Sequence, residues 1–382
     1  MKGLRTMKIR KDIQFGNLCA YAVNEEASPA VIEFAADPHG GPESMWFCFR
    51  LEGTAADENK KIRLVFKFFQ NVLGGSQENG VLSIVSKRKD GNWERLGAGK
   101  REISDDGQAA LVWNVNFVSE YMDFALCYPY GPDELSALLE KSCGYWKADS
   151  AGVSQGGREL IRLSNSYGDI GGGKKGIYAI ARQHSGETPG SWGLQGFLDH
   201  FAKSGNKDFV VWSVPLSNID GVVNGDYGKD NFPYDLNRAW GYPPMRHETQ
   251  VIMRDMKRWA ERCKPLVSID FHAPGACENY GIYSFVPKNI QGELDPASVA
   301  LAEKIHKTLE SSGLASSDFI KCANYKSRWE TPNFTRFSLH DMNLASLSFE
   351  FPYSFAGKKE LSKEDYMSAG AAIAEAIIKN YA

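Results

Sequence analysis

The chain is 382 residues long, 43% apolar and 24% charged, an ordinary globular composition with room for two or three domains and a large core. Its 44 basic and 47 acidic side chains leave a net charge of −3, so no basic excess points to nucleic acid or an anionic membrane as partner. No apolar run is long enough to span a bilayer, no signal-peptide core follows the basic N-terminus, and seven cysteines without C-x-x-C spacing read as reduced thiols, so a cytoplasmic protein is expected.

From Ile13 to about Tyr128, short β-prone runs alternate with polar turns, at 20–23, 45–51, 62–69, 81–85 and 110–117. Period-two patterning at this spacing predicts an all-β, sandwich-like N-terminal domain. A helix over 132–141 closes it, and the polar stretch 142–156 is expected to hold the boundary, giving domains at 1–147 and 148–382. Beyond it, β-prone runs alternate with helical ones at 192–202, 248–263, 296–311 and 362–381, the pattern of an α/β domain with a mixed sheet flanked by helices. The last helix opens on a capping box, Ser362-Lys363-Glu364-Asp365, with Asp in place of the usual Glu or Gln. The glycine-rich stretch 168–175 lacks both the hydroxyl and the following helix that a phosphate-binding loop needs, and reads as a turn.

The apolar run Gly176–Ala181 leads into Arg182-Gln183-His184-Ser185-Gly186-Glu187-Thr188-Pro189-Gly190-Ser191, where a strand gives way to a helix that Thr188 is expected to cap. An imidazole and a carboxylate thus stand three positions apart at a strand's C-terminal end, the place where open α/β sheets bind ligands. A second strand, ending Asp270-Phe271-His272, delivers another imidazole. His184, Glu187 and His272 would fill three positions around one zinc ion per chain and leave the fourth to water, which is the catalytic type of zinc site. The plain alternative is a polar surface loop. Cys277, five residues past His272, reads as a packing residue near the cleft, since sulfur there would close the open position.

Between these segments lie Asn218-Ile219-Asp220-Gly221 and Asp235-Leu236-Asn237-Arg238, and beyond them the strand Ser348-Phe349-Glu350. Taken in order with the H-S-G-E-T-P-G-S loop, D-F-H at Asp270 and the segment Tyr121–Tyr130, they resemble the zinc carboxypeptidases, most closely the cytosolic carboxypeptidase branch, over most of the chain. The resemblance implies zinc held by His184, Glu187 and His272. It makes Asp235 the carboxylate that fixes a zinc-bound His by accepting its outer N–H. Asn237 and Arg238 would bind the substrate's terminal carboxylate, and Glu350 would take a proton from water and pass it to the leaving amine.

The chain departs from the family where an oxyanion-stabilising arginine is expected: it has Gly228, with Lys229 as the candidate replacement. Tyr325 is the candidate substrate-covering tyrosine, and Arg328 and Arg336 are candidate substrate-binding cations. The histidines at 39, 200, 247, 306 and 340 read as structural or exposed. The implied activity is hydrolysis of a C-terminal peptide or amide bond, on a peptide or amino-acid conjugate with a free carboxylate. Two other readings stand beside it, a zinc deacylase or amidase acting on N-acyl amino acids and a catalytically silent protein that binds C-terminal tails. The sequence does not fix the oligomeric state.

Overall fold

The computed structural model describes residues 7–39, 41, 43–54, 57–104, 107–118, 120–229, 234–323 and 330–382. Two five-stranded sheets occupy the N-terminal part. One runs Lys8–Arg10, Cys48–Glu52, Tyr121–Ala125, Ser83–Arg88, Glu94–Ala98, and the other Ala20–Asn24, Ala30–Ala35, Lys60–Phe66, Ala109–Phe117, Lys100–Ile103. Alternate side chains of each turn inward and interdigitate: Phe34 of one sheet lies 4.8 Å from Phe49 of the other and 5.3 Å from its neighbour Phe66, ring centre to ring centre. The expected sandwich is therefore present, with strands at 8–10, 30–35, 94–98, 100–103 and 121–125 beyond those singled out from sequence. The aromatic run 45–51 becomes strand only from Cys48, yet Met45, Trp46 and Phe47 are fully buried, so apolar burial there does not require strand geometry.

The helix Pro132–Lys141 leads to an eight-stranded mixed sheet. Its order is Lys147–Val153, Glu159–Ser164, Phe209–Val214, Lys175–Ala181, Lys264–His272, Ser346–Glu350, Ile282–Phe285, Ala315–Lys321. The third to sixth of these strands are mutually parallel, and antiparallel pairings flank them. Both faces of the sheet are covered, as parallel strands require. Ile177 and Ala179 pack with Phe197, Ile305 and Ile373 on one side, while Tyr178 and Ile180 pack with Met256, Trp259 and Phe337 on the other.

The helix after the first site loop starts earlier than expected, at Thr188–Ser204, with Glu187 and not Thr188 at the N-cap. Gly190 lets that first turn press against the neighbouring strand, since a Cβ there would stand 2.6 Å from the Phe271 carbonyl oxygen. The last helix, Lys363–Tyr381, keeps its predicted Ser362–Asp365 capping box. No described helix is long and apolar enough to cross a membrane.

Candidate active site

Strand register gathers the site. In the parallel pair Lys264–His272 and Ser346–Glu350, His272 stands directly opposite Glu350, and Ala181 aligns with Phe271 on the other side. The loop that leaves Ala181 therefore turns back over His272. Arg182 makes that turn in a left-handed conformation (φ 62°), and its buried guanidinium donates to the Ser185 and Tyr130 carbonyls, which closes the loop on itself.

Glu187 ends up between the two imidazoles. Its Oε1 lies 2.7 Å from His184 Nδ1 and its Oε2 lies 2.7 Å from His272 Nδ1. Among the described residues these three form the one cluster of His, Cys or carboxylate side chains able to hold a metal ion, all buried, with ligand atoms within 4.8 Å of one another. The outer nitrogens are backed by carboxylates: His184 Nε2 is 3.1 Å from Asp235 Oδ1, and His272 Nε2 is 2.6 Å from Asp270 Oδ2.

Asp235 therefore stands where the resemblance implied. Asp270, named in the sequence as part of the D-F-H motif but given no role there, is its counterpart for the second imidazole. Residues i and i+2 of a strand share a face, so Asp270-Phe271-His272 already carried that signal. Gln183 donates to the same Asp270 oxygen and accepts from Trp240, extending the support into the core. Two His and one Glu with backed imidazoles are the donor set and surroundings of a catalytic zinc site. Changing Asp270 to Asn is expected to weaken zinc binding about 10- to 100-fold with the fold intact, as read by competition with a chromogenic chelator.

The electrostatics match a site built around a cation. Burial opposes charge on His184, but Glu187 and Asp235 outweigh it and raise its pKa to about 9. Burial likewise opposes His272, and Asp270 and Glu187 raise it well above its ordinary value. Glu187 is held far below the ordinary carboxylate range, its burial overcome by both imidazoles. Asp235 is lowered to about 2, the adjacent His184 outweighing the cost of burial.

Glu350 behaves in the opposite way: burial, with Glu187 nearby, pushes it up to about 8 against the pull of His272 and Lys229. Its Oε2 is buried and has no hydrogen-bond partner among the described residues. Its strand is no edge strand, being paired on both sides, where Glu350 meets His272 and Tyr283.

The cleft has two chambers. One, of about 430 Å³, is lined by His184, Glu187, His272, Lys229 and Glu350, and the other, of about 550 Å³, by Arg336, Lys288 and His340. Asn237, Arg238 and Glu350 line both. Asn237 is partly committed elsewhere, its Oδ1 accepting from Phe334 N and its Nδ2 standing 3.1 Å from His272 Nε2. Arg336 lies in the second chamber, away from the His–Glu–His cluster. Tyr325 and Arg328 lie outside the described residues. Of the histidines read as structural, His39 contacts Asp226 in the loop before Tyr227 and Lys229, and His340 meets the Lys288 carbonyl. Cys277 packs against Gly74 and Gly80, as a packing residue should.

The missing arginine has a steric reason. Gly228 sits at φ +85°, and a Cβ there would collide with Ser185 Oγ and stand 2.6 Å from Ser185 N. No side chain fits at 228, whereas Lys229 reaches the cleft. Burial opposes its charge, but Glu43, Glu187, Asp235 and Glu350 together raise its pKa, so it stays an ammonium. Restoring arginine at 228 is expected to lower stability by about 1–3 kcal/mol through backbone strain and overpacking, without raising activity, as thermal unfolding and steady-state rates would show.

No family model matches the chain. Over 230 residues, 54% of the chain and 41% of the relative, it is 34% identical to cytosolic carboxypeptidase 6 of Mus musculus. Over 280 residues, 65% of the chain and 28% of the relative, it is 26% identical to cytosolic carboxypeptidase 2 of Xenopus tropicalis. The chain thus spans less than half the length of these curated relatives. Among solved structures it superposes on a metallo-carboxypeptidase from Burkholderia cenocepacia with a TM-score of 0.78, 18% identity and 98% of both chains covered. A metallo-carboxypeptidase from Pseudomonas aeruginosa, solved with (2-guanidinoethylmercapto)succinic acid, matches at a TM-score of 0.74 and 18% identity, covering 97% of this chain and 98% of that one. Relatives in sequence and neighbours in fold agree with the site geometry: over part of its length the chain is similar to cytosolic carboxypeptidases, and over nearly all of it the chain has the fold of metallo-carboxypeptidases.

Proposed function

We propose that the protein is a zinc-dependent carboxypeptidase that releases the C-terminal residue of a peptide or amino-acid conjugate. The observation that carries this reading is the meeting of His184, Glu187 and His272 in one cleft with Glu350, whose Oε2 is buried and has no hydrogen-bond partner among the described residues. A divalent ion held by those three side chains would supply Lewis acidity toward the scissile carbonyl and toward water. Asp270 and Asp235 keep both imidazoles turned Nδ1-inward.

Glu350 removes a proton from the attacking water and returns it to the leaving nitrogen, and a base with a pKa near neutrality suits both halves of that task. Lys229 places a positive charge beside the carbonyl oxygen as it becomes an oxyanion. Arg238, at the junction of the chambers, with Asn237 beside it, receives the terminal carboxylate and so sets exopeptidase register. The second chamber then takes the released residue's side chain, and its cations Arg336 and Lys288 favour an acidic one. This reading divides the chain into an N-terminal β-sandwich at 1–147 and a catalytic unit at 148–382, and it assigns the protein to the cytoplasm.

The test is release of C-terminal amino acids from a peptide library, with and without chelator, run beside N-acyl amino acids. Chelator-sensitive release, greatest for acidic ends, is expected. Cleavage confined to N-acyl amino acids would instead identify an amidase, and tail binding without cleavage a silent binder. Arg238→Ala should raise KM far more than it lowers kcat, with about a tenfold or larger loss in kcat/KM, since a charged anchor is removed.

A further inference from the structure

A cation from the N-terminal sandwich reaches into the frame of the candidate site. Arg95 lies in the strand Glu94–Ala98, yet its guanidinium gathers groups from widely separated segments. Its Nε donates to the Leu361 carbonyl at 3.0 Å, Nη1 to the Ser83 carbonyl at 2.6 Å, and Nη2 to the Tyr353 carbonyl at 2.5 Å and the Tyr366 hydroxyl at 2.9 Å. It also stands 4.8 Å from the centre of the Tyr128 ring and 3.5 Å, by Nη2, from Cys127 Sγ. Among the described residues no carboxylate pairs with it. A half-buried cation without a counter-ion is a poor way to gain stability alone, and well-packed apolar side chains commonly do as well or better. A planar five-donor fork, however, holds several carbonyls in a fixed mutual arrangement, which an apolar side chain or a lysine cannot do.

The segment it holds is the one that leaves Glu350. Phe351 N donates to the His272 carbonyl at 2.9 Å, so the chain is pinned immediately after the carboxylate. Tyr353, fully buried, then turns its hydroxyl to the Gly186 carbonyl at 3.3 Å, at the peptide that joins Gly186 to Glu187. Its own carbonyl receives both Arg95 and the Tyr366 hydroxyl, the latter at 2.7 Å. The neighbouring Ser354 closes the clasp, its Oγ receiving Ser83 N at 3.0 Å.

We propose that Arg95 is a positioning residue for hydrolysis: by fixing the Tyr353 carbonyl it holds the exit of the Glu350 strand in place, and through the Tyr353 hydroxyl it fixes the Glu187 loop relative to Glu350. The sandwich is on this account part of the catalytic frame and not only an appendage. The proposal rests on the role given to Glu350 above.

The experiment compares wild type, Arg95→Met, Arg95→Lys and Tyr353→Phe in the full chain. It measures kcat and KM for C-terminal residue release, bound zinc, and amide hydrogen exchange of the metal-free proteins. Arg95→Met is expected to keep full zinc content and a KM within about twofold while kcat falls about tenfold or more, because small displacements of a catalytic group are costly. In the metal-free variant, residues 351–361 should exchange faster than in wild type. Arg95→Lys should recover part of the rate, and Tyr353→Phe should lower kcat by about threefold, a smaller effect because the Arg95 clasp survives.

Combined with Glu350→Gln, Arg95→Met should add little. Unchanged kcat together with unchanged exchange at 351–361, or an equal fold-loss in the Glu350→Gln background, would overturn the proposal. If Arg95→Met does not fold, the lysine and phenylalanine variants decide in the same way, by kcat and exchange. Full wild-type activity in Glu350→Gln would sink the hydrolytic role of Glu350 itself, and the exchange measurement distinguishes that outcome from failure of the clasp.

Discussion

Glu350→Gln should lower kcat by about 10³-fold, within the 10²–10⁴ range general acid–base catalysis contributes, while zinc content and KM stay near wild type. The substitution keeps shape and removes only the ability to accept and return a proton. The site's electrostatics make this separable from folding. Burial has already pushed the Glu350 carboxyl up to about 8, so charge at this position opposes the metal-free fold, and the neutral amide is expected to leave stability unchanged or higher. A variant that is inactive, zinc-replete and at least as stable as wild type is the combination that a catalytic role requires. Inactivity accompanied by zinc loss or unfolding would indicate a structural role instead.

Metal removal should abolish activity, and reloading should release protons. In the metal-free protein both imidazoles are expected to carry a proton on each nitrogen at neutral pH, because Glu187 with Asp235 raises the His184 pKa from 6.5 to about 9 and Asp270 with Glu187 raises that of His272 well above 6.5. Each must lose a proton to accept a metal through Nδ1, so loading at pH 7 should release about two protons, and apparent affinity should climb with pH through the range up to about 9 in which His184 loses its proton.

The stability signs agree. A group whose folded pKa is raised contributes stability that is complete below its unfolded pKa and is lost as pH rises through the folded value. For His184 that loss runs from about 6.5 to about 9, and for Glu350 from about 4.5 to about 8, so the metal-free protein weakens toward alkaline pH. Zinc should therefore raise the unfolding temperature most near pH 8–9 and least near pH 6. Calorimetric titration in buffers of different ionisation enthalpy measures the protons, and unfolding scans with and without zinc measure the rest.

Much of this architecture was legible in local sequence. The helices Pro132–Lys141 and Lys363–Tyr381 carry their own start signals and appear within a residue of expectation. His184, Glu187 and His272 could be read because each sits where an apolar run ends, and strand ends are where such sheets place their chemistry. Glu350 was less legible by itself, since period-two alternation leaves its direction open. What fixes it is register against His272, a pairing across 78 positions that no local window contains.

Other features were hidden for the same reason. Gly228 is excluded from bearing a side chain by Ser185, more than forty positions away, so no local window shows why the expected arginine is missing. The contacts of Arg95 with Tyr353 and Leu361 span more than 250 positions and leave no periodic trace. Asp270 differs from these, because two positions before His272 on a strand it was available to inspection. The N-cap shifted from Thr188 to Glu187 because Glu187 turns between His184 and His272, which starts the helix a residue early.

The most direct measurement is a crystal structure of the full chain loaded with zinc, with anomalous diffraction recorded on both sides of the zinc edge. One strong anomalous peak bonded to His184 Nδ1, His272 Nδ1 and Glu187, with Glu350 facing the remaining coordination position, is the predicted result. Zinc bound stoichiometrically elsewhere, or three side chains left unligated in a zinc-saturated crystal, would contradict it.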